Sequence, residues 1–225
     1  MVTITKTTFK FLKDIRDNNN RDWFKENKER YDIAQIEIKD FMESVYNDLS
    51  KFDEIEKKKL FRIYRDVRFS KDKTPYSSNF RLSYGRAGAY RRGGYFIKIE
   101  PGGGSFAGGG FYNPESSDIK LIRDQIAADD KPLRKIIKSK KFKDTFRELL
   151  GEKLKTAPKG YPKDHPAIDL LRYKSMYVVH SFSDKEVMSP GFSKEVNKVY
   201  KNIQPFFAYM TDILTHDLDG VPLYG

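Results

Sequence analysis

The apolar positions at the start of the chain recur at helical steps. Ile4, Thr8, Phe11, Leu12 and Ile15 fall three and four residues apart, and Asn18-Asn19-Asn20 ends the pattern with three poor helix formers suited to a turn. A second run, Tyr31, Ala34, Ile38, Phe41, Val45, Leu49 and Phe52, predicts one face of a helix about eight turns long. Its start falls near Asn20 or Asp22, either of which can cap it. Trp23, Phe24, Ile33 and Ile36 lie off this stripe and predict a second contact surface, inside the fold or toward a partner.

After Lys57-Lys58-Lys59 the period changes to two. Phe61 to Phe69 alternates as a strand, with Phe61, Ile63, Arg65, Val67 and Phe69 on one face, which sets the charge of Arg65 among apolar neighbours. Phe80 to Tyr84 and Tyr95 to Glu100 alternate in the same way. Ser70 to Ser78, Gly85 to Gly94 and Gly102 to Gly110 read as the connections, and connections this short predict a mostly antiparallel sheet. Asn113-Pro114 reads as a cap and first helical position, opening a helix through Ile119, Ile122 and Ile126. Shorter helical pieces follow at Leu133 to Ile137 and Phe142 to Leu150, the latter with Gly151 to end it. Thr156 to Pro166, with Pro158, Pro162 and Pro166, is neither ordinary helix nor central strand. A short helix at Ala167 to Tyr173, a strand at Ser175 to Phe182 and a last helix from about Ser193 past Met210, with Pro205 as a kink, complete an α+β pattern. The expected architecture is one domain over 1–225, a mostly antiparallel sheet packed with long N-terminal and C-terminal helices.

Composition narrows the chemistry. The 225 residues contain no cysteine, which removes disulfides, thiolate nucleophiles and cysteine-based metal sites. No apolar run reaches the ~20 residues of a membrane span and no signal-peptide core opens the chain, so a cytoplasmic protein without a membrane partner is expected. The net charge of +11 is concentrated in the middle. Residues 1–59 balance 13 basic against 13 acidic side chains, 60–113 hold 10 against 3, 114–174 hold 16 against 10, and 175–225 hold 4 against 6. A positive middle predicts either an anion-attracting surface or a solubilising excess.

Four phrases resemble those of one family. Asn18 to Phe24, Arg62 to Tyr76, Glu100-Pro101-Gly102-Gly103 and Pro158 to Pro166 together resemble the conserved hypothetical family known as domain of unknown function 2461. They run in order across most of the chain. The resemblance implies one intact intracellular domain of bacterial type and brings no catalytic or ligand residues with it.

Candidate chemistry therefore rests on the residues themselves. Arg65, Arg68, Lys71 and Lys73 surround Asp66 and Asp72 and form either an anion clamp or a set of salt bridges that hold the loop. Lys159 and Lys163 extend the anion-binding set in the proline-rich segment. There His165 stands where either it or Asp164 caps the helix after Pro166; a neutral imidazole at that end would serve as a general base, whereas an Asp164 cap would be purely structural. Asp66, Glu100 and His165 are the weak catalytic candidates. Two carboxylates meeting among Asp66, Glu100 and Asp164 would suit magnesium, although no residues are spaced as a metal site, the three histidines included. Gly102, Gly104 and Ala107 satisfy G-x-G-x-x-A, yet no helix follows to meet a pyrophosphate, so a hairpin or bulge with close backbone approach is the expectation.

The leading expectation is an enzyme or ligand-binding domain that recognises a phosphate- or carboxylate-bearing small molecule in a basic pocket, with Arg65, Asp66, Glu100 and His165 in one region. The alternative is a nucleic-acid-binding module stacking bases on Tyr64, Tyr76, Tyr84, Tyr90 and Tyr95. A structural adaptor using the spare apolar positions of the long helix is the third.

Overall fold

The computed structural model describes residues 2–88 and 92–223. Five strands, β1 (Ile55–Leu60), β2 (Phe80–Arg86), β3 (Gly94–Ile99), β4 (Ser105–Phe111) and β5 (Met176–Phe182), form one antiparallel sheet in the order of the sequence, β1-β2-β3-β4-β5. The helices are α1 (Lys6–Asp17), α2 (Arg21–Glu26), α3 (Lys28–Leu49), α4 (Ser116–Ala128), α5 (Lys131–Lys138), α6 (Lys140–Phe146), α7 (Ile168–Leu171), α8 (Asp184–Val187) and α9 (Phe192–Thr215). The chain divides into two compact units, residues 1–84, 96–107 and 181–198 in the first and residues 85–95, 108–180 and 199–225 in the second.

In the first unit, α1 starts at Thr5, whose hydroxyl accepts from the Thr8 N–H, and buries the predicted face of Phe11, Leu12 and Ile15. Helix α3 buries Tyr31, Ala34, Ile38, Phe41, Val45 and Leu49, the predicted stripe. Phe80, Leu82 and Tyr84 alternate inward on β2, and the Tyr84 hydroxyl donates to the Met42 carbonyl at 3.1 Å. Phe41 stacks on Phe192 with ring centroids 5.2 Å apart. Strand β1 sits at the sheet edge with Glu56 to Lys59 exposed, and lysines there discourage pairing with another chain.

The second unit is built around Ile122, Ile126, Leu133, Phe142, Phe146, Val178, Ile203 and Phe207, all buried. Tyr95 packs on Tyr200 at 4.6 Å and its hydroxyl meets the Gln204 side chain, while Arg92 pairs with the buried carboxylate of Asp118.

Several expected elements are placed differently. The long second helix is two helices: α2 begins after Asn20, whose side chain accepts from the Trp23 N–H, and the chain breaks at Asn27 before α3. Asn27 donates its side-chain amide to the Trp23 carbonyl and accepts from Arg30, local bonds that compete with the helical ladder. Phe52 lies beyond the helix. Residues 61–69 are no regular strand; they form a loop that touches residues 75–77 through the Tyr64–Tyr76 bridge, and the sheet takes 55–60 instead. The glycine-rich connection holds a strand, β4. A Cβ on Gly110 would stand 2.4 Å from the Met176 carbonyl oxygen and one on Gly109 2.9 Å from that of Gly94, so close backbone approach, as expected there, is what the glycines permit. Helix α4 starts after Glu115 rather than at Asn113-Pro114, and α6 ends at Phe146 because Arg147 turns to φ 65°. Gly151 ends no helix; its missing Cβ makes room for the Ser175 carbonyl. Ile33 and Ile36 are exposed, whereas Phe24 is buried.

Candidate ligand recess

The segment from Arg62 to Tyr76 closes on itself through its own polar groups. The Arg65 N–H donates to the Pro75 carbonyl at 2.9 Å and the Ser77 N–H to that of Ile63 at 2.8 Å. Across the loop, the Arg65 guanidinium donates to Asp72 at 2.5 Å, to the Thr74 carbonyl at 3.1 Å and to the Thr74 hydroxyl. The Thr74 N–H and hydroxyl both donate to Asp72, at 2.9 and 2.8 Å. Those two bonds, together with Arg65, hold the Asp72 carboxyl down at about 2. It is ionised at any physiological pH.

The asparagine run docks on this loop. Asn19 donates its side-chain amide to the Tyr76 carbonyl at 2.9 Å and accepts from the Tyr76 N–H at 3.1 Å, so a side chain replaces a neighbouring strand. Behind it Phe24 stacks on Tyr76 with centroids 4.1 Å apart and meets Tyr64 edge-on at 5.6 Å. Two of the phrases that carry the family resemblance thus meet in three dimensions, as a clasp with an aromatic backing.

In front of the clasp is a recess of about 360 Å³ lined by Arg16, Asn19, Arg65, Asp72, Thr74, Tyr76, Ser77, Ser78 and Asn79, all within the first unit. Two cations and one carboxylate face it. Arg65 is committed to the loop, while Arg16, half exposed at the end of α1, has Asp17, at 3.1 Å, as its one ion-pair partner among the described residues. The Asn79 side-chain oxygen is buried and has no hydrogen-bond partner among the described residues. An acceptor left unpaired in this way costs about 1–3 kcal/mol, which a bound donor would recover. Chemically, the recess offers a guanidinium for an anionic group and, at its wall, Asn79, whose side-chain oxygen is buried and without a donor among the described residues.

The other expected anion-binding residues have internal uses, do not line the recess or belong to the second unit. Arg68 pairs with Asp66 at 2.7 Å on an exposed turn, which keeps the Asp66 carboxyl below its ordinary range. Lys73 donates to the Val67 and Arg68 carbonyls, and Lys71 is exposed without a partner among the described residues. Glu100 pairs with Lys98. The Gly102 and Gly103 N–H groups, both glycines at positive φ, donate to Asp184 at 3.0 Å, so that turn grips a carboxylate of its own chain. Arg65, Asp66 and Glu100 belong to the first unit and His165, Lys159 and Lys163 to the second.

Neither Asp164 nor His165 caps α7, whose N-cap is Ala167 with no side-chain bond; the His165 Nδ1 instead accepts from the Ala167 N–H at 3.0 Å in the turn before the helix, and the proton of a neutral ring is therefore on Nε2. Tyr161 in the same segment donates to Asp124 at 2.7 Å, and burial followed by that carboxylate raises its hydroxyl to about 12. Tyr76, Tyr84 and Tyr95 are buried and present no face to a base, Tyr64 packs against Phe24 and Tyr76, and Tyr90 lies outside the described residues. Among the described residues, no three or more histidine, aspartate or glutamate side chains gather as a metal ion would need.

Sequence reasoning passed over Arg16, Ser77, Ser78 and Asn79. Arg16 lies off the apolar stripe of α1 and Ser77 and Ser78 fall in the expected connection, so no pattern marks them. The one nearby signal is the asparagine run, read as a turn, whose Asn19 bonds the Tyr76 backbone.

The family model described as "Conserved hypothetical protein (DUF2461)" matches residues 7–209, and the chain belongs to that family. No curated protein and no solved structure matches it. Among the described residues, no helix is long and apolar enough to cross a membrane.

Proposed function

We propose that this member of the DUF2461 family is a ligand-binding domain for a small polar molecule that carries a phosphate or carboxylate together with a hydroxyl or amine donor. The anionic group pairs with Arg16, and the donor meets the Asn79 side-chain oxygen. One observation carries the reading: a recess lined with polar side chains, opened by a half-exposed arginine and walled by Asn79, whose buried side-chain oxygen has no partner among the described residues. Arg65 shapes this site without spending its charge on the ligand, because Asp72 and Thr74 already hold it. Asp72 disfavours a ligand that is anionic all over and favours one with a donor beside its charge. Binding, rather than catalysis, is the better fit, since neither His165 nor Glu100 lines the recess and the one carboxylate there is fully engaged.

The test is a thermal-shift screen with inorganic phosphate, a hexose phosphate, succinate and a set of amino acids, repeated on Arg16→Ala. At least one probe raises the melting midpoint of the wild type by a few degrees. Arg16→Ala melts as the wild type does without ligand and loses that shift. A panel that shifts nothing, or a shift that survives Arg16→Ala, contradicts the assignment.

A further inference from the structure

Residues 131–143 contain seven lysines and arginines and no acidic side chain. The segment folds as α5 and α6, joined by Ser139 alone, which ends the first helix and caps the second by accepting from the Phe142 N–H. On α5, Lys131, Lys135 and Lys138 fall four and three residues apart and so share one face, opposite buried Leu133. On α6, Lys140, Lys141 and Lys143 surround the side away from buried Phe142 and Phe146. All six lysines are exposed.

Their neutralisation is incomplete. Arg134 is held by Asp130 and Asp169, at 2.6 and 2.7 Å, and Lys140 by Asp144 at 2.5 Å. Lys131, Lys135, Lys138, Lys141 and Lys143 have no ion-pair partner among the described residues. Asp129 and Glu148, the remaining acids at the two ends of the segment, leave the surface positive. Five unpaired ammonium groups on two short, well-anchored helices form a dense positive patch on the second unit.

We infer that this surface docks on the phosphate backbone of double-stranded nucleic acid, weakly and without reading sequence. The residue types select that partner. Lysines are point charges that neutralise phosphates, whereas base edges are read by arginine forks and amides, and the only arginine between 131 and 143 is already paired. No large apolar or aromatic side chain is exposed between 131 and 147, so there is nothing to stack on single-stranded bases. The same absence disfavours a bilayer, because α5 buries Leu133 and keeps Ile136 and Ile137 partly covered, α6 buries Phe142 and Phe146, and no open apolar face is left to enter a lipid interface. The patch is separate in sequence from the recess and works whether or not the recess is occupied.

Fluorescence anisotropy of a mixed-sequence duplex of about 20 base pairs, titrated with the full chain over a range of salt, tests the inference. With three to five phosphates neutralised, the logarithm of the association constant falls against that of salt with a slope of about −3 to −5. Lys135→Gln/Lys138→Gln/Lys141→Gln weakens binding at least tenfold at low salt and reduces the slope by two to three, with an unchanged melting midpoint. Lys25→Gln/Lys39→Gln, altered at two exposed lysines of α2 and α3, binds as the wild type does. No duplex binding at low salt, equal loss in both variants, tighter binding of a single strand of the same length, or tighter binding of phosphatidylserine vesicles would each overturn it.

Discussion

Arg65 shows how a sequence anomaly resolves at the level of one side chain. Its charge looked misplaced on a strand face, and the residue in fact belongs to no strand: its guanidinium spans the loop to Asp72 and Thr74. Asp72 is more than half exposed, so removing Arg65 strands no buried carboxylate. Arg65→Ala is therefore expected to cost about 1–2 kcal/mol through its hydrogen bonds to Thr74, less than the 3–5 kcal/mol of a broken buried pair; denaturant melts measure it. Acid should act on the same contacts. The Asp72 carboxyl is depressed to about 2 in the fold against an ordinary value of about 3.9, so its stabilisation is complete above pH 4 and is lost as pH falls through 2. The protection of the Thr74 amide against hydrogen exchange, taken relative to its intrinsic rate at each pH, should be undiminished at pH 4 and fall toward pH 2. Loss of that protection already at pH 4.5 would mean that other carboxylates hold the loop.

Among the elements, periodicity carried as far as burial did. α1, α3, β2, β3, β5 and α9 were legible because each buries one face against a core, which imprints a period of 3.6 or 2 on the apolar residues. β1 and β4 were illegible for opposite reasons. The edge strand β1 is four-sixths exposed lysine and glutamate and has no apolar face to show, while β4 lies where glycine is the only residue thin enough. The break at Asn27 and the loop at 61–77 arise from side chains that bond their own backbone, a competition that alternation cannot display. Gly110→Ala tests the account of β4. With φ at 144° and the Met176 oxygen 2.4 Å from the new Cβ, the cost should be about 2–4 kcal/mol, or roughly 5–15 °C in melting midpoint. A midpoint within a degree of the wild type would refute it. Asn19→Ala tests the clasp in the same way: losing both bonds to Tyr76 should cost about 1–3 kcal/mol, whereas Asn20→Gly, at a cap that glycine also fills, should cost only a few tenths.

For the whole molecule, the phrases that carried the family resemblance account for structure before function. The first two make the clasp, the third makes the turn that grips Asp184, and the fourth holds the His165–Ala167 and Tyr161–Asp124 bonds. The recess was half legible. Arg65, among the expected anion-binding residues, does line it, but its own loop claims its charge, and Arg16 and Asn79 had no pattern to mark them. The most direct measurement is a side-chain nitrogen NMR titration with the anionic probe that stabilises the protein. The Arg16 Nε–H and Asn79 amide resonances should move together and saturably, with the same dissociation constant, while the Arg134 Nε–H stays in place. A probe that stabilises the protein yet leaves Arg16 and Asn79 unmoved would contradict the assignment of the recess as the ligand site.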